Sequence, residues 1–244
     1  MITERQTAEY IRMLDGGNGE FLDALEEEAL AGHVPVIRKE TQAFLRTMME
    51  MIRPARILEV GCAVGFSALL MCRHMGPEGH ITTIENYDRR IAEARKNIQR
   101  AGEESRITLI EGDAGRVLTE LPGPYDFIFM DAAKGQYINW LPELIRLLSP
   151  GGVLLSDNVL QDGETALSRY AVERRDRTIH ARMREYLWAL THTETFSTSV
   201  LPLGDGLAVS VKRKKYEDST DEKTGTADPG GEPGCPEDRG PLRG

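Results

Sequence analysis

The chain has 244 residues, 40% of them hydrophobic, and a formal net charge of −9. That length is enough to bury a sizeable core and favours one large domain over two small ones. No run approaches about 18 uninterrupted apolar residues, and the charged start of the chain differs from a signal peptide, so we expect a cytoplasmic protein without a membrane span. The three cysteines form no C-x-x-C pair, which argues against a disulfide framework or a zinc cluster.

The first 32 residues predict a helical segment that precedes the main domain. Within this segment, Phe21, Leu22, Leu25 and Ala29 form a modest apolar stripe at helical spacing. Such a stripe suits either the interface of a homodimer or a contact inside one chain.

From residue 56 onward, short apolar runs alternate with helical patterns. Five runs predict strands, at residues 56–60, 81–85, 106–113, 125–131 and 152–158. Helices are predicted between them, from Ser67, over residues 88–100 and around Leu141. This alternation implies right-handed crossovers and a parallel, doubly wound sheet.

The last part of the predicted domain contains a helix and a hairpin. The helix is predicted with one face made of Tyr170, Ile179, Met183, Leu187 and Leu190. Residues 196–213 read as a hairpin that turns at 204–206. The predicted fold class is therefore α/β, with a mostly parallel, doubly wound, seven-stranded sheet and an antiparallel C-terminal hairpin.

Charge is concentrated near the end of the chain. Residues 217–244 contain eight acids, three bases, ten Gly or Pro and no aromatic residue, so we expect a disordered acidic tail over residues 216–244. A basic run occupies residues 212–215, and six arginines lie between Arg169 and Arg184. These bases suit either a solvated surface or a patch that faces phosphates.

Each of the five predicted parallel strands ends in, or runs directly into, a carboxylate. In strand order these residues are Glu59, Glu85, Asp113, Asp131 and Asp157, the last followed by Asn158. Ligands of such sheets bind beyond the carboxyl ends of the strands. The strand-end residues are therefore the first candidates for chemistry.

The turn after the first strand discriminates among cofactors. Gly61 and Gly65 flank Ala63, so the turn lacks the glycine pattern of a dinucleotide site, and no P-loop lysine follows. Glu85 could accept hydrogen bonds from both hydroxyls of a ribose, and Asp113 with Ala114 would lie beside an adenine. The combination predicts S-adenosylmethionine, whereas the glycines alone would suit a tight strand-to-helix turn.

The residues Asp131, Asp157 and Asn158 predict a metal site. They follow neighbouring strands, and two carboxylates with an amide oxygen are hard ligands that suit Mg²⁺, with Mn²⁺ as an alternative. The competing interpretation is that Asp157 caps a helix and Asn158 makes a turn. Lys134, three residues after Asp131, could then take a proton from a hydroxyl held on the metal, although a lone lysine is more often a surface residue.

Several segments carry a family resemblance. They read ILEVGCAVGFSALLM, IEN, EGDA, MDAAKGQY, SDNVL and PLGDGLAVS, and together they span roughly residues 33–214. They resemble the metal-dependent O-methyltransferases of the catechol and caffeoyl-CoA type, within the class I S-adenosylmethionine-dependent superfamily. The resemblance implies a methyltransferase domain over residues 33–215 and the formation of a homodimer.

The resemblance also implies roles for individual residues. It implies metal binding by Asp131, Asp157 and Asn158, with Lys134 as the base and Asp131 in the catalytic set. It implies cofactor contacts from Ile37, Glu59, Gly61, Ser67, Glu85, Asp113, Ala114 and Asp131. Cys62 in the glycine loop is most simply a small apolar residue.

Three classes of function remain open from the sequence. HVPVIRKE, DAAKGQY and the Arg-rich helix look most like the bacterial enzymes that methylate 5-hydroxyuridine at the tRNA wobble position. A tRNA substrate, bound through its anticodon region, predicts that Arg174, Arg175, Arg177 and residues 212–215 share the face of the active-site mouth, with affinity that falls steeply in salt. A catechol or caffeoyl-type substrate predicts a closed apolar pocket walled by Trp140 or Trp188. A noncatalytic adenosine-binding protein would need no metal ligands.

Overall fold

The structure is a computed structural model that describes residues 3–214, so the predicted acidic tail and Lys215 lie outside the described residues. Seven strands are present in this part of the chain: β1 Arg56–Val60, β2 His80–Glu85, β3 Ile107–Glu111, β4 Tyr125–Met130, β5 Leu148–Ser156, β6 Phe196–Leu201 and β7 Leu207–Lys212. Eight α-helices accompany them in residues 3–214: α1 Arg5–Met13, α2 Glu20–Ala31, α3 Lys39–Ile52, α4 Phe66–His74, α5 Asp88–Ala101, α6 Ala114–Glu120, α7 Tyr137–Leu147 and α8 Arg177–Thr191. Two short 3₁₀ turns cover Lys134–Gln136 and Gln161–Ala166.

The strands form one sheet in the order β3-β2-β1-β4-β5-β7-β6. Neighbouring strands from β3 through β5 pair in parallel, whereas β7 pairs antiparallel with both β5 and β6. A tight turn joins β6 to β7, and β7 inserts between β5 and β6. The predicted fold class is confirmed, including the antiparallel hairpin at its end.

The helix before the hairpin is shorter than its apolar pattern predicts. It begins at Arg177, so Tyr170 precedes it and is 83% exposed. Ile179 is also exposed, and the buried face consists of His180, Met183, Tyr186 and Leu190. The prediction placed Tyr170 on the buried face because its spacing fits the helical period, but this residue lies before the helix begins.

The core lies on both faces of the sheet. One cluster contains Leu22, Leu25 and Ala29 from α2 together with residues of α3 and α4, and the second packs α7 and α8 on the other face. Leu22, Leu25 and Ala29 of this stripe are thus buried inside the chain, whereas Phe21 is partly exposed, and the homodimer stays a prediction. The domain boundary at residue 32 stays a prediction. Within residues 3–214, no helix combines the length and the apolar character needed to cross a bilayer.

Candidate active site

A cleft of about 540 Å³ lies beyond the carboxyl ends of β1 to β4, and we call it the strand-end cleft. The glycine loop after β1 forms one wall, and the turns that follow β2, β3 and β4 form the others. The predicted cofactor residues on its lining are Gly61, Glu85, Asp113, Ala114 and Asp131. Residues that are far apart in the chain therefore line one cleft, which is large enough for a small ligand.

Gly61 brings the ends of β1 and β4 into close contact. Its φ is +101°, and a Cβ at this position would lie 2.0 Å from the carbonyl oxygen of Asp131. Its N–H donates to the carbonyl of Ile84 at 3.1 Å, which also ties the loop to β2. Only glycine fits here, because both the backbone conformation and the available space exclude a side chain.

Backbone amides hold the carboxylates at the ends of β2 and β3. Glu85 accepts hydrogen bonds from the N–H of Ala63 at 2.8 Å, of Asn86 at 2.9 Å and of Tyr87 at 3.0 Å. Asp113 is the N-cap of α6 and accepts from the N–H of Arg116. Both side chains are therefore oriented before any ligand arrives, at the rim where a ribose and a base would lie.

Three predicted cofactor residues are not on the lining of the cleft. Ile37 and Ser67 are 6% and 8% exposed, and Glu59 is fully buried beneath the glycine loop. Burial raises the pKa of Glu59 to about 7, although the Thr83 hydroxyl donates to its carboxylate at 2.5 Å and opposes the shift. A role for these three residues in cofactor binding stays a prediction.

The structure adds wall residues that sequence reasoning missed as cofactor neighbours. Asn86, Gln136 and Trp140 line the cleft, and the Trp140 indole nitrogen lies 3.2 Å from the position of a Cβ on Gly115. Trp140 lies in the first turn of α7, on its partly exposed side. The sequence predicts Trp140 only as one of two possible walls of a catechol-type acceptor pocket, and the apolar period of α7 does not place it beside the cofactor residues.

Asp131 and Asp157 follow the neighbouring strands β4 and β5 and share one environment. Asp157 is 2% exposed, and its pKa is raised to about 8 by burial and by the charge of Asp131. Loss of solvent also raises the pKa of Asp131 to about 6, while the positive charge of Lys134 opposes the shift in both groups. Two such carboxylates repel each other when both are ionised, and a bound cation would offset that repulsion.

Asn158 completes the predicted metal set and adopts an uncommon backbone conformation. Its φ is +59°, a region that Asn tolerates better than most residues. Its N–H donates to the Asp157 carboxylate at 2.7 Å, and its side-chain amide donates to Asp205 at 3.1 Å. Within residues 3–214, no three His, Cys, Asp or Glu side chains form a metal-binding group, so this candidate set rests on two carboxylates and one amide oxygen. That chemistry fits a hard divalent cation.

Tyr137 contacts the backbone at the ends of both β4 and β5. Its hydroxyl donates to the carbonyl of Met130 at 3.1 Å and lies 3.4 Å from the carbonyl of Asp157. The same oxygen accepts from the N–H of Ala132 at 3.1 Å. A single fully buried hydroxyl therefore contacts the backbone at both carboxylates.

The basic residues predicted to face a nucleic acid lie in two separate parts of the structure, near the end of β7 and in or before α8. Because β7 runs antiparallel to β5, Lys212 lies near the start of β5, where its ammonium donates to the carbonyls of Ile145 at 2.7 Å and Leu148 at 2.6 Å. The prediction that Lys212 shares the face of the active-site mouth is therefore wrong, because Lys212 lies at the opposite end of β5 from Asp157.

The arginines of α8 lie nearer the site. Arg182 donates to the carbonyl of Gly135, the neighbour of Lys134, at 3.0 Å. Arg175, which precedes α8, forms ion pairs with Glu173 and Asp176. Trp188 is half exposed, stacks on His192 and is absent from the lining of the strand-end cleft.

The strand order and the strand-end cleft define an α/β protein of the class that binds small ligands at the carboxyl ends of parallel strands. Comparison with known proteins narrows this class. A family model described as O-methyltransferase matches residues 18–214. The chain belongs to the O-methyltransferase family.

Individual relatives agree with this family. The chain is 35% identical over 125 residues to a catechol O-methyltransferase of Niastella koreensis, covering 50% of this chain and 57% of that enzyme. It is 30% identical over 169 residues to a caffeoyl-CoA O-methyltransferase of Stellaria longipes, covering 67% and 70%. A solved structure of a Podospora anserina methyltransferase with bound SAH is similar at a TM-score of 0.78 and 25% identity, covering 87% of this chain and 97% of that one.

Proposed function

We propose that the protein transfers a methyl group from S-adenosylmethionine to a hydroxyl oxygen, with a divalent cation, Mg²⁺ or Mn²⁺, holding the acceptor. The observation that carries the proposal is the pair of desolvated carboxylates, Asp131 and Asp157, at the edge of a cleft suited to a nucleoside. A noncatalytic adenosine-binding protein would gain nothing from such a pair.

The donor would lie in the strand-end cleft. Gly61 lets the backbone approach the amino-acid part of the donor, and Glu85 is oriented to accept from its ribose hydroxyls. Asp113 and Ala114 would face the adenine edge, and Trp140 offers an aromatic wall beside them. The size of the cleft and the SAH-bound relative support this assignment.

The acceptor would lie next to Asp131. Asp131, Asp157 and Asn158 would hold the cation, which when bound lowers the pKa of a hydroxyl beside it. After releasing its own proton to solvent, Lys134 would accept the hydroxyl proton at its neutral Nζ, after which the oxygen attacks the methyl carbon in line and the carbon–sulfur bond breaks. The proton then passes from Lys134 to solvent, and the donor leaves as the neutral thioether.

Acceptors with two neighbouring oxygens suit this arrangement, as in catechol and caffeoyl-type compounds. The names of the relatives support this substrate class. A second candidate is 5-hydroxyuridine of tRNA, whose 5-hydroxyl and O4 offer a similar pair. The position of α8 beside the Lys134 turn favours this candidate, because it brings Arg177 and Arg182 toward the same end of the sheet.

The test measures transfer of a labelled methyl group from S-adenosylmethionine by the purified chain with Mg²⁺. Catechol, a caffeoyl ester and tRNA containing 5-hydroxyuridine serve as acceptors, each with and without chelator. We expect labelling that chelator abolishes, and for tRNA a steep loss of activity with salt. Labelling of none of these acceptors, or labelling that survives chelator in full, would contradict the proposal.

A further inference from the structure

The turn between β6 and β7 packs against the loop that carries Asn158. The N–H of Val159 donates to the carbonyl of Gly206 at 3.0 Å, and the N–H of Leu160 donates to the carbonyl of Asp205 at 3.1 Å. Two backbone hydrogen bonds therefore fix the turn against the residues that directly follow Asn158.

The two glycines of this turn are required by close contacts. Gly206 has φ +93°, and a Cβ there would lie 2.4 Å from the Cβ of Leu160. Gly204 has φ +58°, and a Cβ there would lie 2.7 Å from the hydroxyl of Thr41 in α3. The turn is wedged between α3 and the Asn158 loop, so the residue between the glycines has a defined position.

That residue is Asp205, and its carboxylate contacts Asn158 directly. The Nδ2 group of Asn158 donates to Oδ2 of Asp205 at 3.1 Å. On its other side, Asp205 forms an ion pair with Arg38, whose guanidinium also donates to Asp162 at 2.9 and 3.0 Å. Arg38 thus anchors the carboxylate that receives the Asn158 amide.

The two ends of an amide side chain differ chemically. A cation binds the oxygen end, whereas the nitrogen end only donates hydrogen bonds, and a rotation of the side chain exchanges them. We infer that Asp205 is a positioning residue that binds the nitrogen end of Asn158 and thereby leaves the Oδ1 end for the metal. This inference rests on the proposed function, since it requires Asn158 to be a metal ligand.

The test measures binding of Mn²⁺ alone to the purified full chain by electron paramagnetic resonance titration, without donor or acceptor. Asp205→Asn removes the charge but keeps an oxygen that accepts from Asn158, whereas Asp205→Ala removes both. We expect the alanine variant to bind Mn²⁺ at least about tenfold more weakly than the asparagine variant, as is typical when the partner of a metal ligand is lost. Asp205→Leu provides the same comparison with more of the side-chain volume retained.

Glu164→Gln is the matched control, because it removes one negative charge from an exposed side chain of the neighbouring 3₁₀ turn while Asp205 and its ion pair with Arg38 are kept. We expect its Mn²⁺ affinity to stay within about twofold of the unmodified protein. Equal affinities of Asp205→Ala and Asp205→Asn, or an equal loss in Glu164→Gln, would overturn the positioning role while leaving the metal site intact. An unmodified protein that binds no Mn²⁺ would overturn the proposed function and the inference together.

Discussion

The carboxylates at the strand ends fall into two groups that differ in what surrounds them. At β2 and β3, Glu85 and Asp113 accept hydrogen bonds from backbone amides. At β4 and β5, burial and the charge of Asp131 raise the pKa of Asp157, burial raises the pKa of Asp131, and the positive charge of Lys134 opposes both shifts. The first group is oriented by the fold alone, whereas a bound cation would stabilise the second. We call the region around Glu85 and Asp113 the donor side, and the region around Asp131 and Asp157 the acceptor side.

Glu59 shows that a raised pKa alone does not indicate a metal site. Its carboxylate is fully buried, but it accepts from the Thr83 hydroxyl and can be held as the neutral acid. After burial, the largest influence on the pKa of Asp157 is the charge of Asp131. At Glu59 the charges of Asp131 and Glu85 also raise the pKa, but the hydrogen bonds from Ser67 and Thr83 are larger effects. The acceptor side is therefore distinguished by a neighbouring carboxylate whose effect on the pKa hydrogen bonds do not exceed, rather than by burial alone.

The largest expected effect comes from removing the acceptor-side pair. Asp157→Ala should lower methyl transfer on the order of 10³-fold, because several kcal/mol of transition-state stabilisation depend on the cation. The measurement is the initial rate with saturating donor and Mg²⁺, with calorimetric donor affinity as the internal control. Loss of donor affinity together with rate would show that the two sides are not separate.

Glu59→Gln tests a buried acid outside the predicted metal set through the pH dependence of stability. The folded protein binds the Glu59 proton more tightly than the unfolded chain, so stability falls as pH rises from about 4.5 to about 7. The glutamine variant lacks this loss. The difference in free energy of unfolding between the variant and the unmodified protein should therefore favour the variant more at pH 8 than at pH 5, by up to about 3 kcal/mol. Urea unfolding at both pH values measures the difference.

The control for this prediction is Glu104→Gln, an exposed carboxylate on the surface. It should change stability by the same small amount at pH 5 and pH 8. An equal effect of Glu59→Gln at the two pH values would mean that Glu59 is not held as a neutral acid.

Tyr137→Phe should loosen the connection between the strand ends. Removing the hydroxyl leaves the N–H of Ala132 without its acceptor, at a cost of about 2 kcal/mol in the free energy of unfolding. Because both carboxylate-bearing ends shift, Mn²⁺ affinity should fall while donor affinity is retained. Thermal unfolding and Mn²⁺ titration check this prediction, and an unchanged Mn²⁺ affinity would show that Tyr137 only stabilises the core.

Glu85→Gln is expected to have the smallest effect, confined to the donor side. The neutral amide keeps its shape but loses a charged acceptor for ribose hydroxyls, so donor affinity should fall about tenfold. Mn²⁺ affinity should be unaltered. Isothermal calorimetry with S-adenosylhomocysteine and with Mn²⁺ separates the two quantities, and weaker binding of both would contradict the division into sides.

The donor side could be predicted from the sequence because its residues follow local patterns. Gly61, Glu85 and Asp113 each come directly after a short apolar run, and parallel strand ends meet at one edge of a sheet. The alternation of strands with helices and the turn at 204–206 followed from the same patterns. These features depend on spacing within a few residues.

Other features depend on contacts between distant segments and could not be predicted this way. Asp205 reaches Asn158 only because β7 inserts between β5 and β6, and the same insertion places Lys212 at the far end of the sheet. The sequence predicts either Trp140 or Trp188 as a pocket wall, and only the packing of the helices shows that Trp140 lines the cleft and Trp188 does not.

The central claim is that Asp131 and Asp157 together form a cation site. The direct measurement is calorimetric titration of Mg²⁺ into the protein at pH 7 in two buffers with different ionisation enthalpies. A pKa of about 8 at Asp157 means that this group is mostly protonated at pH 7, so binding should release about one proton per ion. Release should nearly vanish at pH 9. Binding with no dependence on buffer at pH 7, or no binding at all, would contradict the account.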